Sequence, residues 1–156
     1  MDINLTIKER MLLEDQKKHE EICIEKYNNY AQQAADPQLK DIFSNHAKIE
    51  QEHLNTLNQL LSGHIPQMKQ TSGGTQQQTN QPAVLQQHKS NVATDQSLCN
   101  DVLMTEKFVS GAYDTAIFEF KDTQVRDILN HIQKEEQKHG EAIYKYMESK
   151  GMYSPK

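Results

Sequence analysis

The chain has 156 residues, 35% of them hydrophobic and none of them tryptophan, enough for one domain around one lean core. Its net charge is −5 with a pI near 5.8 and no basic stripe, so neither nucleic acid nor an anionic membrane has an electrostatic case as a partner. No apolar run is long enough to span a membrane, and the opening MDINLTIKER lacks the apolar stretch of a signal peptide, which points to synthesis in a cytoplasm.

Thr6 followed by Glu9 is a capping-box start, and nothing from there to about Ala35 breaks a helix. Asp36-Pro37 starts a second helix, with Asp as cap and Pro suited to the first helical position. That helix runs to about Ser62, where Gly63 and Pro66 stop it. From Gln67 to Ser90 the sequence QMKQTSGGTQQQTNQPAVLQQHKS has the composition of a linker. A third helix is expected from Thr94-Asp95 to Lys121, and Asp122-Thr123 caps a fourth that ends before Gly151. The expected organisation is one domain, 1–156, with hairpin one at 6–62, a Gln-rich crossover linker at 63–93 and hairpin two at 94–150. A long connection between helices two and three is the ferritin-like connectivity, so the expected fold is an all-α, ferritin-like four-helix bundle. An up-down bundle carrying an insertion is the alternative. Cys23 and Cys99 form no CxxC and sit on apolar helix faces, as small buried hydrophobes do.

The chain repeats itself with an offset of 86 residues and no gap. Glu20 maps on Glu106, Tyr27 on Tyr113, Asp36 on Asp122, Glu50 on Glu136 and His53 on His139. Each hairpin therefore holds one Glu on its first helix and a Glu-x-x-His on its second. Glu20 lies 16 residues before Asp36, and Glu50 and His53 lie 14 and 17 after it. At the helical rise these three sit at similar depth, roughly 21–26 Å from the turn.

The six residues also fall on core-facing stripes. These read Leu13, Glu20, Cys23 or Ile24, Tyr27, Ala31, Ala34 on the first helix and Leu39, Ile42, Phe43, His46, Glu50, His53, Leu57, Leu60 on the second. The third and fourth read Val102, Glu106, Val109, Tyr113, Ala116, Phe120, then Val125, Ile128, Ile132, Glu136, His139, Ile143, Met147. Four carboxylates buried together need protons, water or cations, and two divalent cations balance four negative charges. Glu from two helices plus Glu-x-x-His from two others is the ligand set of ferritin-like di-iron and di-manganese proteins. The expected metal ligands are Glu20, Glu50, His53, Glu106, Glu136 and His139, holding two Fe or Mn ions, with Zn also admitted by the mixed oxygen and nitrogen donors. The competing reading is a metal-free relic of a duplicated ancestor. His46 reads as a satisfied core histidine or a group beside the ligands. Tyr27 and Tyr113 read as packing tyrosines or redox partners. His19, His64, His88 and His131 read as surface residues, and Glu21, Glu25, Lys26 and Lys145 as solvated faces.

Two family resemblances follow from these residues. HEEICIEKYNNYAQQAADPQLKDIFSNHAKIEQEHLNTL resembles the first hairpin of rubrerythrin-type ferritin-like proteins, which implies Glu20, Glu50 and His53 as ligands. Those proteins carry a separate cysteine-rich iron domain, and this sequence has none, so their electron path is not implied. Residues 94–153 resemble the spore coat protein F family through TEK-x(4)-AY-x-TAIFE, the Asp-x-Gln turn and a closing Gly with an aromatic. Many members of that family lack the second histidine, so membership alone does not imply metal; here His139 fills the position. The resemblance implies a spore coat location and other spore coat proteins, or a second copy of the chain, as partners. Three functions remain open: a two-metal redox protein acting on peroxide or O2, a structural coat protein, and iron storage. Nothing in the sequence names a catalytic residue.

Overall fold

The computed structural model describes residues 2–68 and 89–154, with side chains from residue 94 onward in the second stretch. Four helices make up the bundle: α1 (Ile7–Gln33), α2 (Pro37–Leu61), α3 (Lys89–Glu119) and α4 (Thr123–Ser149). Most of the expected linker, and His88 with it, lies outside the described residues.

The helix ends follow from local chemistry. The Thr6 hydroxyl accepts the Glu9 N–H at 3.1 Å while the Glu9 carboxylate accepts the Thr6 N–H at 2.8 Å, which closes the expected capping box. Asp36 and Asp122 cap α2 and α4, each accepting the N–H of the residue two further on at 2.9 Å. α2 and α4 both end in a Schellman turn through a left-handed glycine, Gly63 at φ 90° and Gly151 at φ 70°. The Arg126 guanidinium donates to the carbonyls of Phe120 and Lys121, satisfying backbone acceptors freed where α3 stops.

The start of α3 differs from the sequence expectation. The helix begins at Lys89, ahead of Thr94-Asp95, so Asp95 is not its cap. Its carboxylate is buried and accepts the backbone N–H groups of Ala35 and Asp36, at 2.9 and 3.1 Å, in the α1–α2 turn. Asp95 is thus consumed by a contact between the hairpins.

Each hairpin packs its own two helices together, and the hairpins meet with α1 against α3 and α2 against α4. Lys8 pairs with Glu119 at one end of α1, and Lys26 and Tyr30 reach Asp101 near the other, so α1 and α3 are antiparallel. His53 beside Glu136, with Asp36 accepting from Tyr146, makes α2 and α4 antiparallel as well. Consequently α2 and α3 run the same way, and the end of α2 and the start of α3 lie at opposite ends of the bundle. An up-down bundle would set them antiparallel. The long-crossover connectivity is the one observed, and the all-α bundle of two hairpins is the expected fold.

The core is split in two. Leu13, Leu57, Leu60, Val109, Phe120, Val125, Leu129 and their neighbours fill one end. Leu39, Phe43, Ala47, Leu98, Val102, Ile143, Tyr146 and Met147 belong to the apolar cluster at the other. A fully buried leucine or isoleucine contributes about 1.5–3 kcal/mol by leaving water, so these two plugs carry the stability of the bundle. The core stripes read from sequence are buried, with Ile24, Ala31 and Ile42 only partly so. Cys23 and Cys99 are buried free thiols, and burial raises both.

Candidate metal centre

Between the plugs lie Glu20, Glu50, His53, Glu106, Glu136 and His139, each at most 3% exposed. Their placement follows from register. Residues three apart share a helix face, so Glu50 and His53 on α2 project together, as do Glu136 and His139 on α4. α1 and α3 supply Glu20 and Glu106 at matching depth.

The six residues form two overlapping quartets, each with donor atoms within 4.8 Å of one another. One is Glu20, Glu50, His53 and Glu136; the other is Glu106, Glu136, His139 and Glu50. Glu50 and Glu136 belong to both, and their oxygens divide between the two positions. Glu50 Oε2 lies 3.3 Å from His53 Nδ1, while its Oε1 lies 3.0 Å from His139 Nδ1. Glu136 Oε1 lies 3.1 Å from His53 Nδ1, and its Oε2 is 3.6 Å from His139 Nδ1. Two shared carboxylates, two unshared ones and two imidazoles facing the centre through Nδ1 make a pair of similar pockets. The 86-residue repeat relates one to the other.

Burial and the facing charges shift the groups of the cluster in opposite directions. Burial pushes Glu50 up to about 7, helped by the facing Glu20. Burial and the adjacent Glu136 push Glu106 up to about 8. Burial also opposes ionisation of Glu136, but hydrogen bonds with Glu106, His139 and His53 outweigh it and hold Glu136 below the usual carboxylate range. The imidazoles move the other way. Burial disfavours a charged His139, yet Glu106, Glu136 and Glu50 raise it to about 11. His53 is likewise raised, by Glu135, Glu136, Glu20 and Glu50 against its burial. The raised Glu50 and Glu106 and the raised His53 and His139 all act against the build-up of negative charge in a closed site.

Whether the donors fit a metal is tested by what they leave unpaired. Glu20 Oε2, Glu106 Oε2 and Glu136 Oε2 are buried with no hydrogen-bond partner among the described residues. Buried acceptors of this kind are costly unless something occupies them. Three carboxylate oxygens without a hydrogen-bond partner in a four-carboxylate, two-imidazole cluster suit divalent cations that take oxygen and nitrogen donors.

The surroundings hold the carboxylates in place. The Tyr27 hydroxyl donates to Glu106 Oε1, and the Tyr113 hydroxyl donates to Glu20 Oε1. Burial and these carboxylates raise both phenols well above their ordinary range, so both stay donors. His46 is buried, with its ring stacked on His139 at a centroid separation of 4.0 Å. The satisfied-core reading of His46 is corrected in one respect: its Nδ1 has no partner among the described residues. Burial, with the His139 charge, lowers it to about 2, so the ring is neutral. His64 and His131 are exposed, as expected; His19 is half-buried, with Nδ1 2.7 Å from Gln16 Oε1 and its ring edge-on to Phe108. Lys26, expected on a solvated face, is half-buried and pairs with Asp101 at 2.9 Å.

Sequence reasoning did not find the contacts of three residues: Glu135 at the centre, and Glu9 and Asp95 at the hairpin turns. Glu135 precedes Glu136 on the outward side of its stripe, and its Oε2 sits 2.7 Å from His53 Nε2. Glu9 and Asp95 are repeat equivalents that tie each hairpin to the other's turn: Glu9 accepts the Lys121 N–H at 3.4 Å much as Asp95 accepts that of Ala35 at 2.9 Å. The same offset that relates the six cluster residues relates this pair, so extending the repeat to the helix starts would have found them.

Fold and site together define an all-α bundle of two repeated hairpins enclosing a buried carboxylate–histidine cluster whose donor atoms fall into two overlapping quartets that could hold a metal ion. Residues 94–156, which span α4 and most of α3, match the family model described as the Coat F domain. No curated protein and no solved structure matches the chain. Among the described residues no helix is long and apolar enough to cross a membrane.

Proposed function

We propose that the chain is a two-metal, ferritin-like protein of the spore coat, holding a pair of iron or manganese ions between its hairpins. The observation that carries the reading is the double quartet, in which Glu50 and Glu136 offer one oxygen to each position. Glu20 and Glu106 would complete the oxygen donors, and the Nδ1 atoms of His53 and His139 would fix orientation. Bound iron or manganese would supply a redox couple toward peroxide or dioxygen. The chain's own part is to keep water out with two apolar plugs, to hold Glu20 and Glu106 through tyrosine hydroxyls, and to exchange site protons for cations. The spore coat location rests on the Coat F domain.

The test is elemental analysis of protein purified without tag or chelator, beside a Glu50→Ala, Glu136→Ala double variant. About two iron or manganese ions per chain, by the charge balance of four carboxylates, lost in the variant, is the expected result. No metal in either protein sinks the reading.

A second reading, a structural coat protein that associates with other coat proteins or with itself, is favoured by one observation. Ile7, Met11 and Phe118 are exposed at 83, 59 and 88% on helix positions neighbouring the paired Lys8 and Glu119. A monomer on a sizing column at high concentration would count against self-association. The two readings are compatible, because the exposed residues lie outside the metal centre.

A further inference from the structure

The two cation positions share their ligand types but not their surroundings. On the His53 side, the outward nitrogen Nε2 lies 2.7 Å from Glu135 Oε2, and the other Glu135 oxygen is 3.3 Å from His131 Nε2. On the His139 side, Nε2 is buried with no partner among the described residues. The repeat explains the difference. The counterpart of Glu135 in hairpin one is Ile49, which carries no acceptor, and the counterpart of His46 in hairpin two is Ile132. His139 therefore has a neutral ring stacked on it where His53 has an aliphatic neighbour in the repeat, and it lacks the carboxylate that His53 has.

An imidazole that ligates through Nδ1 must carry its proton on Nε2. A carboxylate accepting that proton fixes the tautomer, holds the ring and makes the ligating nitrogen more basic. For His53 the partner is in place. For His139 the Nε2–H would be buried without an acceptor, which disfavours the ligating form.

We propose that the two positions are inequivalent, with Glu135 as the positioning residue that makes the Glu20–His53 position the tighter one for a divalent cation. This rests on the two-metal reading above and adds an order of filling: the His53 side first, the His139 side second.

The test uses the full metal-free chain in equilibrium dialysis against Mn2+, with bound metal counted, for the wild type, Glu135→Ala and Glu135→Gln. Two binding steps are expected in the wild type. In Glu135→Ala the tighter step weakens by about 10–100-fold, the usual loss when a histidine ligand's outer partner is removed. Glu135→Gln retains an amide oxygen as acceptor and recovers part of the loss. Two steps alone are not enough, since shared carboxylates make even identical sites bind unequally. The variant discriminates. If the positions were equivalent, the first ion would go to the undamaged His139 side, leaving the tighter step nearly unchanged and weakening only the second. That outcome, or no change in either step, overturns the inference while leaving the two-metal reading intact. Absence of Mn2+ binding in the wild type overturns both. Glu135 is partly exposed but also bonds His53 in the metal-free protein, so thermal unfolding of the three metal-free proteins is measured alongside to separate that loss from the change in binding.

Discussion

Tyr27 on α1 donates its hydroxyl to Glu106 on α3, so a phenol from one hairpin holds a carboxylate of the other. Tyr113 and Glu20 repeat the arrangement in the opposite direction. Each hairpin thus supplies the donor that orients the other's unshared glutamate. A buried acceptor that loses its donor costs roughly 1–3 kcal/mol. Tyr27→Phe and Tyr113→Phe are each expected to destabilise the metal-free protein by that amount, because each removes one buried donor from an unshared glutamate. Urea unfolding measures it; changes within ±0.5 kcal/mol for both would mean that these bonds add nothing.

Bound cations stabilise the bundle because the unfolded chain cannot assemble the site. At a hundredfold excess over its dissociation constant, one ion adds about 2.7 kcal/mol. For a chain of this size that raises the melting temperature by roughly 5–10 °C. The expected thermal shift with Mn2+ is reversed by chelator and absent in the Glu50→Ala, Glu136→Ala variant. An equal shift in that variant would place the ion elsewhere on the surface.

The helices, the stripes and the gathering of six carboxylate and histidine residues in the core were legible because helical period and the 86-residue repeat both constrain them. What could not be read was anything decided between helices. Asp95 follows Thr94 like a cap, but tertiary contact with the α1–α2 turn uses its carboxylate instead. Glu135 has the pattern of a solvated residue, and only the approach of α4 to α2 sets it on His53. The asymmetry of the centre was in the sequence as Ile49 opposite Glu135 and His46 opposite Ile132, yet a repeat alone does not say which departures face the site. The pairing of α1 with α3, and not α4, is likewise a property of packing that no single helix encodes.

Asp36 carries a pH dependence. Its Oδ1 accepts the Gln38 N–H at 2.9 Å, its Oδ2 accepts the Tyr146 hydroxyl at 2.7 Å, and Lys150 Nζ is 3.4 Å away. Burial opposes the charge, but Tyr146, Gln38 and Lys150 outweigh it and hold the carboxyl below the usual range. A depressed folded value stabilises above the unfolded value of about 3.9 and is lost as pH falls through the folded one. Asp36→Ala should cost about 0.5–2 kcal/mol near neutrality, as lost caps do. Below pH 4 the difference from wild type should narrow. A difference that stays constant from pH 6 down to acid unfolding would count against the charged cap.

Asp95 should matter more than its position near a helix start suggests. Its two oxygens accept consecutive backbone N–H groups of the turn that joins α1 to α2, and that turn sets the depth of Glu50 and His53 against Glu20. Hydrogen bonds to a charged acceptor are worth roughly 1.5–3 kcal/mol each. Ala35 is exposed, so water can replace part of what a truncation removes. Asp95→Ala is therefore expected to cost roughly 1.5–3 kcal/mol in total, the value of one such bond and not two. Asp95→Asn keeps one acceptor and should lose about half of that. The counterpart Glu9 also closes the α1 capping box, and its contact with the Lys121 N–H is long at 3.4 Å. Glu9→Ala should then loosen the start of α1 more than the α3–α4 turn. Amide hydrogen exchange separates the two effects: Asp95→Ala should accelerate exchange at Ala35 and Asp36, and Glu9→Ala at Thr6. Unchanged protection at Ala35 and Asp36 in Asp95→Ala would mean that the turn is fixed by its own Asp36-Pro37 cap and that the carboxylate from α3 is incidental.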